Sequence, residues 1–273
     1  MKILLLTLLA ALLSACASGP RIDSSFSAVS QDSRVRYLVL HYTDLDSVTS
    51  LRVLTQQQVS SHYLIDDGVD FKIYRLVDED RRAYHAGLSS WKGNTGLNAS
   101  SIGIEIVNLG WRDSVQGRAW SAYPQGQIDR LIVLVKDIVN RHGITPDRVL
   151  GHSDIAPQRK QDPGPTFPWK QLADAGLVMW PDEGQVAIRQ GQFERQLPDV
   201  AWFQKRLADH GFAITQTGVL DDVSRKVVSA FQMKYRPSKF DGTLDAQTAA
   251  ILDVLTDPVR SRVLQAVPAM SSK

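Results

Sequence analysis

"RVRYLVLHYT", residues 34–43, sets the reading of the fold. Val35, Tyr37, Val39 and His41 alternate with Arg36, Leu38 and Leu40, and both sets are largely apolar, which is the pattern of a strand covered on both faces. Such a strand belongs inside a sheet with other layers packed above and below it. His41 closes the run, a polar ring at the end of a buried element.

The neighbouring sequence supplies more of the sheet. "SHYLID" (61–66) and "FKIYRLV" (71–77) are short, rich in β-formers and separated by "DGVD", which predicts a hairpin. "SIGIEIVN" (101–108) reads as a further strand. In residues 124–144, Ile128, Leu131, Ile132, Val135, Ile138 and Val139 recur at helical spacing, and Gly143 ends the helix. The expectation is an α/β domain over residues 34–180, with a mixed central sheet flanked by helices. A polar linker (181–191) then leads to a small three-helix domain (192–258), whose apolar positions Val200, Phe203 and Leu207, then Val223, Val227 and Phe231, then Ile251 and Leu255, each follow the helical period. "GVLD" at 218–221 recurs as "GTLD" at 242–245, placing Asp221 and Asp245 to cap the helices that follow. Read this way, the small domain is separable from the α/β domain. Residues 259–273 form a tail.

The N-terminus reads as an export signal. Ile3–Leu13 is apolar but too short to span a bilayer, which needs roughly 20 residues, and it leads into Leu13-Ser14-Ala15-Cys16. Residues 1–15 read as a secretory signal, and Cys16 is the only cysteine of the chain. A polar, Ser-rich stretch to Ser33 reads as a tether. With 31 basic and 29 acidic residues the net charge is +2, too balanced for a dedicated nucleic-acid binder.

The candidate chemistry comes from histidines and carboxylates. Of six histidines, His142 and His210 each precede a glycine at a helix end and are expected to act as cationic caps, and His62 reads as a core or turn histidine. His41, His85 and His152 remain, at strand ends and loops. Glu105 lies between Ile104 and Ile106, where a carboxylate either faces solvent or has a partner or a task. "GHSDIAPQRKQDPGP" (151–165) holds His152, Asp154, Lys160 and Asp162 among three prolines. Two histidines and one loop carboxylate would meet the three-ligand count of a catalytic zinc. Spacing alone leaves the carboxylate open between Asp154 and Asp162.

"VLHYTDLD", "SSHYLID", "YHAGLSSWKGNTGLNASSIGIEIVN", "GHSDIAPQRKQDPGPTFPW" and the C-terminal "AFQMKYRP" together resemble the type-2 N-acetylmuramoyl-L-alanine amidases and peptidoglycan recognition proteins, in a lipoprotein form. The resemblance implies one zinc ion per chain, held by His41, His152 and Asp162, with Glu105 handling the proton and Lys160 beside the reacting carbonyl. It implies that Tyr42, His85 and Asn98 touch substrate, that Cys16 is lipidated, and that the small domain binds peptidoglycan. The implied reaction is cleavage of the amide between N-acetylmuramic or anhydro-muramic acid and the L-alanine of the stem peptide. The expected partners are peptidoglycan, muramyl peptides and, through the anchor, the outer membrane on its periplasmic side, with no nucleic acid and a monomeric chain. A non-catalytic recognition module and a zinc peptidase cutting within the stem peptide are the alternatives.

Overall fold

The computed structural model describes residues 19–115 and 117–257; the signal segment, Cys16 and the 259–273 tail lie outside the described residues. Residues up to Asp32 and those from Ser33 onward form two compact units. In the first, the described residues contain no helix or strand.

The second unit contains strands β1 (Tyr37–Tyr42), β2 (Tyr63–Ile65), β3 (Ile73–Arg75), β4 (Ser90–Trp91), β5 (Asn94–Thr95), β6 (Ser101–Ile106), β7 (Trp111–Ser114), β8 (Gly117–Trp120) and β9 (Val149–Gly151). Its helices are α1 (Ser47–Gln56), α2 (Gln125–His142), α3 (His152–Ile155), α4 (Trp169–Asp174), α5 (Glu183–Phe193), α6 (Val200–His210), α7 (Asp222–Tyr235) and α8 (Ala246–Leu255). The central sheet runs β3-β2-β6-β1-β9, parallel except for the antiparallel edge hairpin β2–β3. The mixed sheet and the expected hairpin are both present.

Alternation along β1 and β6 sorts the two cores. Leu38, Leu40, Ile102, Ile104 and Ile106 face α2 and pack on Ile128, Leu131, Val135 and Ile138. Tyr37, Val39 and Leu150 face the other way, into a core with Trp91, Leu97 and Ile155. That second core is completed by Phe203, Leu207, Phe212, Val227, Val228, Phe231 and Leu252 from the C-terminal helices. The separable domain expected from the sequence is therefore corrected: α6, α7 and α8 share a hydrophobic core with the sheet. The Lys92 amide donates to the Gly211 carbonyl at 2.8 Å, and the Trp91 and Phe212 rings meet edge to face.

The expected linker is corrected as well. Residues 183–193 are the helix α5, capped by Asp182, whose side chain accepts from the Gln185 amide. Arg189 pairs with Asp253 of α8 and with Asp257, so contacts to the last helix hold a segment whose own apolar content is low. The capping expectation for the two echoed motifs holds: Asp221 accepts from the Ser224 amide and Asp245 from the Thr248 amide. A glutamine completes each copy. Gln204 accepts from the Gly218 amide and donates to Ser224, while Gln232 accepts from the Gly242 amide and donates to Thr248.

Two histidines differ from their expected roles. His210 is no cationic cap: it is buried among Trp91, Phe212, Phe231 and Tyr235, and burial, reinforced by the Lys234 charge, lowers its pKa to about 3. His142 is in the last turn of α2, but its ring is held by Ser33 at 2.7 Å and Glu79 at 2.8 Å. His62 is the expected core histidine, accepting from the Gly103 amide and donating to the Arg81 carbonyl.

Candidate active site

The site lies on the sheet face shared with the C-terminal helices, at the carboxyl ends of β1, β6 and β9. Register places His41 of β1 directly opposite Glu105 of β6, on the same face. His152 follows β9 as the first residue of α3. Ten residues on, Asp162 returns to it because the Ser153 amide donates to the Asp162 carbonyl at 2.9 Å. Gly151 makes the closure possible, since a Cβ there would come within 2.8 Å of Pro163 Cδ and 3.1 Å of the Trp169 ring. Arg159 braces the loop from outside, donating to the carbonyls of Ala86 and Leu88.

Three donor atoms converge. His41 Nδ1, His152 Nδ1 and Asp162 Oδ2 lie 3.0 Å from one another in each pair, and all three residues are buried. Among the described residues this is the group able to hold a metal ion. Hydrogen bonds behind the rings decide what they present. Ser101 Oγ donates to the Leu97 carbonyl at 2.6 Å, so it accepts from His85 Nε2 at 3.1 Å; His85 Nδ1 then accepts from His41 Nε2 at 3.0 Å. His152 Nε2 lies 3.2 Å from the Ala86 carbonyl and 3.3 Å from the Arg159 guanidinium. His41 Nδ1 is thus left without a proton, facing His152 Nδ1 and a carboxylate oxygen.

Lone pairs in mutual contact repel unless a cation lies among them. Burial first, and the neighbouring His152 ring second, lower the His41 pKa to about 4, so a proton on that ring does not fill this role at neutral pH. The spacing suits a metal: tetrahedral bonds of about 2.0–2.1 Å place ligands about 3.3 Å apart. The residues present therefore fit a divalent cation with two nitrogen ligands and one oxygen ligand.

Glu105 borders this cluster. Ile102, Ile104 and Ile106 do fill the α2-facing core, and Glu105 on the opposite face of β6 is half-buried, with its Oε2 enclosed and without a hydrogen-bond partner. Burial first, then the Asp162 charge, push its pKa well above the ordinary glutamate value, with Lys160 opposing. Tyr42, Lys160 and Asp162 line a cleft of about 450 Å³ together with Thr43, Trp111 and Lys226.

Two expected substrate contacts are corrected. His85 does not line the cleft: it is buried, both its ring nitrogens are engaged, and it backs His41. A Cβ at Gly103 would come within 2.4 Å of the His85 ring, so β6 carries glycine beneath it. Asn98 is also buried, its Oδ1 accepting from the amides of His85 and Ala86 at 3.1 and 2.7 Å. Asp154, the rival carboxylate, is turned away from the donor cluster: its Oδ2 accepts from the Gly151 amide and pairs with Lys234. Ser101, Gly103 and Lys226 were not legible as site residues, because their contribution depends on what lies across the sheet or on a distant helix.

This fold agrees with what comparison with known proteins shows. The chain belongs to the N-acetylmuramoyl-L-alanine amidase family, which residues 31–165 match, while residues 196–252 match the family of peptidoglycan binding domains. Over 246 residues it is 41% identical to the N-acetylmuramoyl-L-alanine amidase AmiD of Escherichia coli (strain K12), covering 88% of each chain. Among solved structures it resembles E. coli AmiD in complex with the substrate anhydro-N-acetylmuramic acid-L-Ala-D-gamma-Glu-L-Lys, at TM-score 0.78 and 41% identity, over 87% of this chain and 94% of that one. It also resembles AMPDH3 from Pseudomonas aeruginosa in complex with anhydromuramic pentapeptide, at TM-score 0.81 and 41% identity, over 88% of this chain and 99% of that one.

Proposed function

We propose that this chain is a zinc-dependent N-acetylmuramoyl-L-alanine amidase, cutting the amide between muramic or anhydro-muramic acid and the L-alanine of the stem peptide in cell-wall turnover. The observation that carries the reading is the triangle of His41 Nδ1, His152 Nδ1 and Asp162 Oδ2, with the His41 tautomer fixed from behind by His85. Zinc held there by His41, His152 and Asp162 would supply Lewis acidity and would lower the pKa of water toward about 7.

The chain's own groups do the rest. Glu105 takes the proton of the attacking water at its carboxylate and passes it to the departing nitrogen. The Lys160 ammonium faces the amide oxygen as that oxygen gains charge. Tyr42 and Trp111 form part of the cleft in which the muramyl peptide lies. One chain carries the full donor set, so a monomer suffices.

Asp162→Ala should lose zinc on dialysis, because two histidines alone no longer close the site. Lys160→Ala should keep about one zinc per chain and lose on the order of 10²–10³ in turnover, comparable to removing one oxyanion donor. Metal analysis and single-turnover rates decide between them; zinc retained in Asp162→Ala would hand the third ligand to another group. Mass analysis of digested sacculi tests the bond: an amidase leaves free L-alanine amino termini and peptide-free muramic acid, whereas a stem peptidase leaves L-alanine attached.

The same proposal places the protein in the envelope, lipidated at Cys16 and tethered to the outer membrane on its periplasmic side. Its support is the short apolar segment running into Leu13-Ser14-Ala15-Cys16. Cys16→Ala should move the protein from the membrane fraction to the soluble periplasmic fraction. Unchanged fractionation rejects the anchor.

A further inference from the structure

The stretch "AFQMKYRP" ends α7 and carries Lys234, whose side chain is 5% exposed. Its Nζ lies 2.7 Å from Asp154 Oδ2, 3.3 Å from the Val149 carbonyl oxygen and 4.2 Å from the centre of the Trp169 ring. Asp154, 2% exposed, uses the same Oδ2 to accept from the Gly151 amide at 2.8 Å. One carboxylate oxygen thus joins an ammonium on the second-to-last helix to the backbone immediately before His152. A buried ion pair is seldom the most stabilising filling for such a space, since an apolar pair of similar volume often does as well or better. What the pair adds is a single allowed position for the segment it grips.

We propose that Lys234, within the segment matching peptidoglycan binding domains, is a positioning residue for the amidase reaction. Through Asp154 and the Val149 carbonyl it fixes residues 149–152, and so the direction in which His152 presents Nδ1. The assignment rests on the reading of His152 as a metal ligand. It gives the C-terminal helices a task at the metal beyond any attachment to the wall.

Lys234→Met keeps the aliphatic stem and removes the three polar and ring contacts of the ammonium. It also strands Asp154, so the double variant Lys234→Met/Asp154→Asn is needed, in which asparagine still offers an oxygen to the Gly151 amide. Melting temperature, zinc affinity by chelator competition, kcat and KM are measured on full-length protein. In the double variant the melting temperature should return toward wild type, while zinc affinity stays about 10–100-fold weaker and kcat at least about 10-fold lower, the usual effect of losing an outer-shell partner. KM should hold within about twofold, because the cleft walls are untouched. Recovery of zinc affinity and kcat together with the melting temperature would make the pair a stability element only and overturn the assignment. His152→Ala, run alongside, must lose zinc; if it retains zinc, the metal-site reading fails, and that failure is recognisable whatever the Lys234 variants do.

Discussion

Glu105→Gln is expected to lower turnover by roughly 10²–10⁴-fold, the usual contribution of a general base, with zinc still bound. Glutamine keeps the size and removes the proton acceptor. The side chain is on β6 opposite His41, with Oε2 buried and unpartnered, so nothing in the resting protein uses the group that the reaction would use. Burial and the Asp162 charge hold its pKa above the ordinary value of about 4.3, with Lys160 opposing. A base must be ionised to act, so the wild-type rate should fall on the acid side as Glu105 takes up a proton. The residual rate of the glutamine variant should lack this limb. Near-normal turnover in Glu105→Gln would remove the proton role.

Ending the chain after Trp180 should abolish hydrolysis even of soluble muramyl peptides. The sheet face carrying the site is covered by α6, α7 and α8, and Tyr37, Val39, Trp91, Leu97, Leu150 and Ile155 all belong to the core those helices complete. Burying such a side chain contributes about 1.5–3 kcal/mol, so uncovering six of them costs on the order of 10 kcal/mol. Whole domains are stable by only about 5–15 kcal/mol. The truncated chain should show no cooperative thermal transition and no activity. A truncated protein that melts cooperatively and cleaves soluble substrate would restore the picture of two independent domains.

The contrast with a separable small domain shows what periodicity can and cannot carry. The alternation in residues 34–43 was enough to require cover on both faces of β1, and the 3.6 spacing around Ile128 and Leu131 identified one cover. The second cover was also visible, as the stripes through Phe203, Phe231 and Ile251. A helical stripe states that a face is buried without stating against what, so those helices read as a closed bundle. The segment 183–193 escaped because what holds it lies far along the chain: Val186 and Phe193 pack on the shared core, and Arg189 reaches Asp253 and Asp257, more than sixty positions away.

The site divides along the same line. His41, His152 and Asp162 were named from residue type, strand ends and family resemblance, and the structure brings them together. His85 and Asn98 carried the right chemistry for a substrate groove but were assigned to the wrong side of the wall. Only the hydrogen bonds at both His85 nitrogens, and the glycine beneath its ring, reveal that it steers His41.

The shared core also bears on how the protein comes to be active. Every residue of the donor cluster has been synthesised by residue 162, yet the layer that covers its sheet face, and the ammonium that grips Asp154, follow within residues 200–255. Chains emerge amino end first, and contacts between distant positions form slowly, since a long loop must close before they stabilise anything. A partly made amidase would therefore hold its metal-binding side chains on an unfinished scaffold, and competence would arrive at a late stage, with the docking of α7. Catalytic competence is in this way tied to completion of the second core rather than to synthesis of the donor residues.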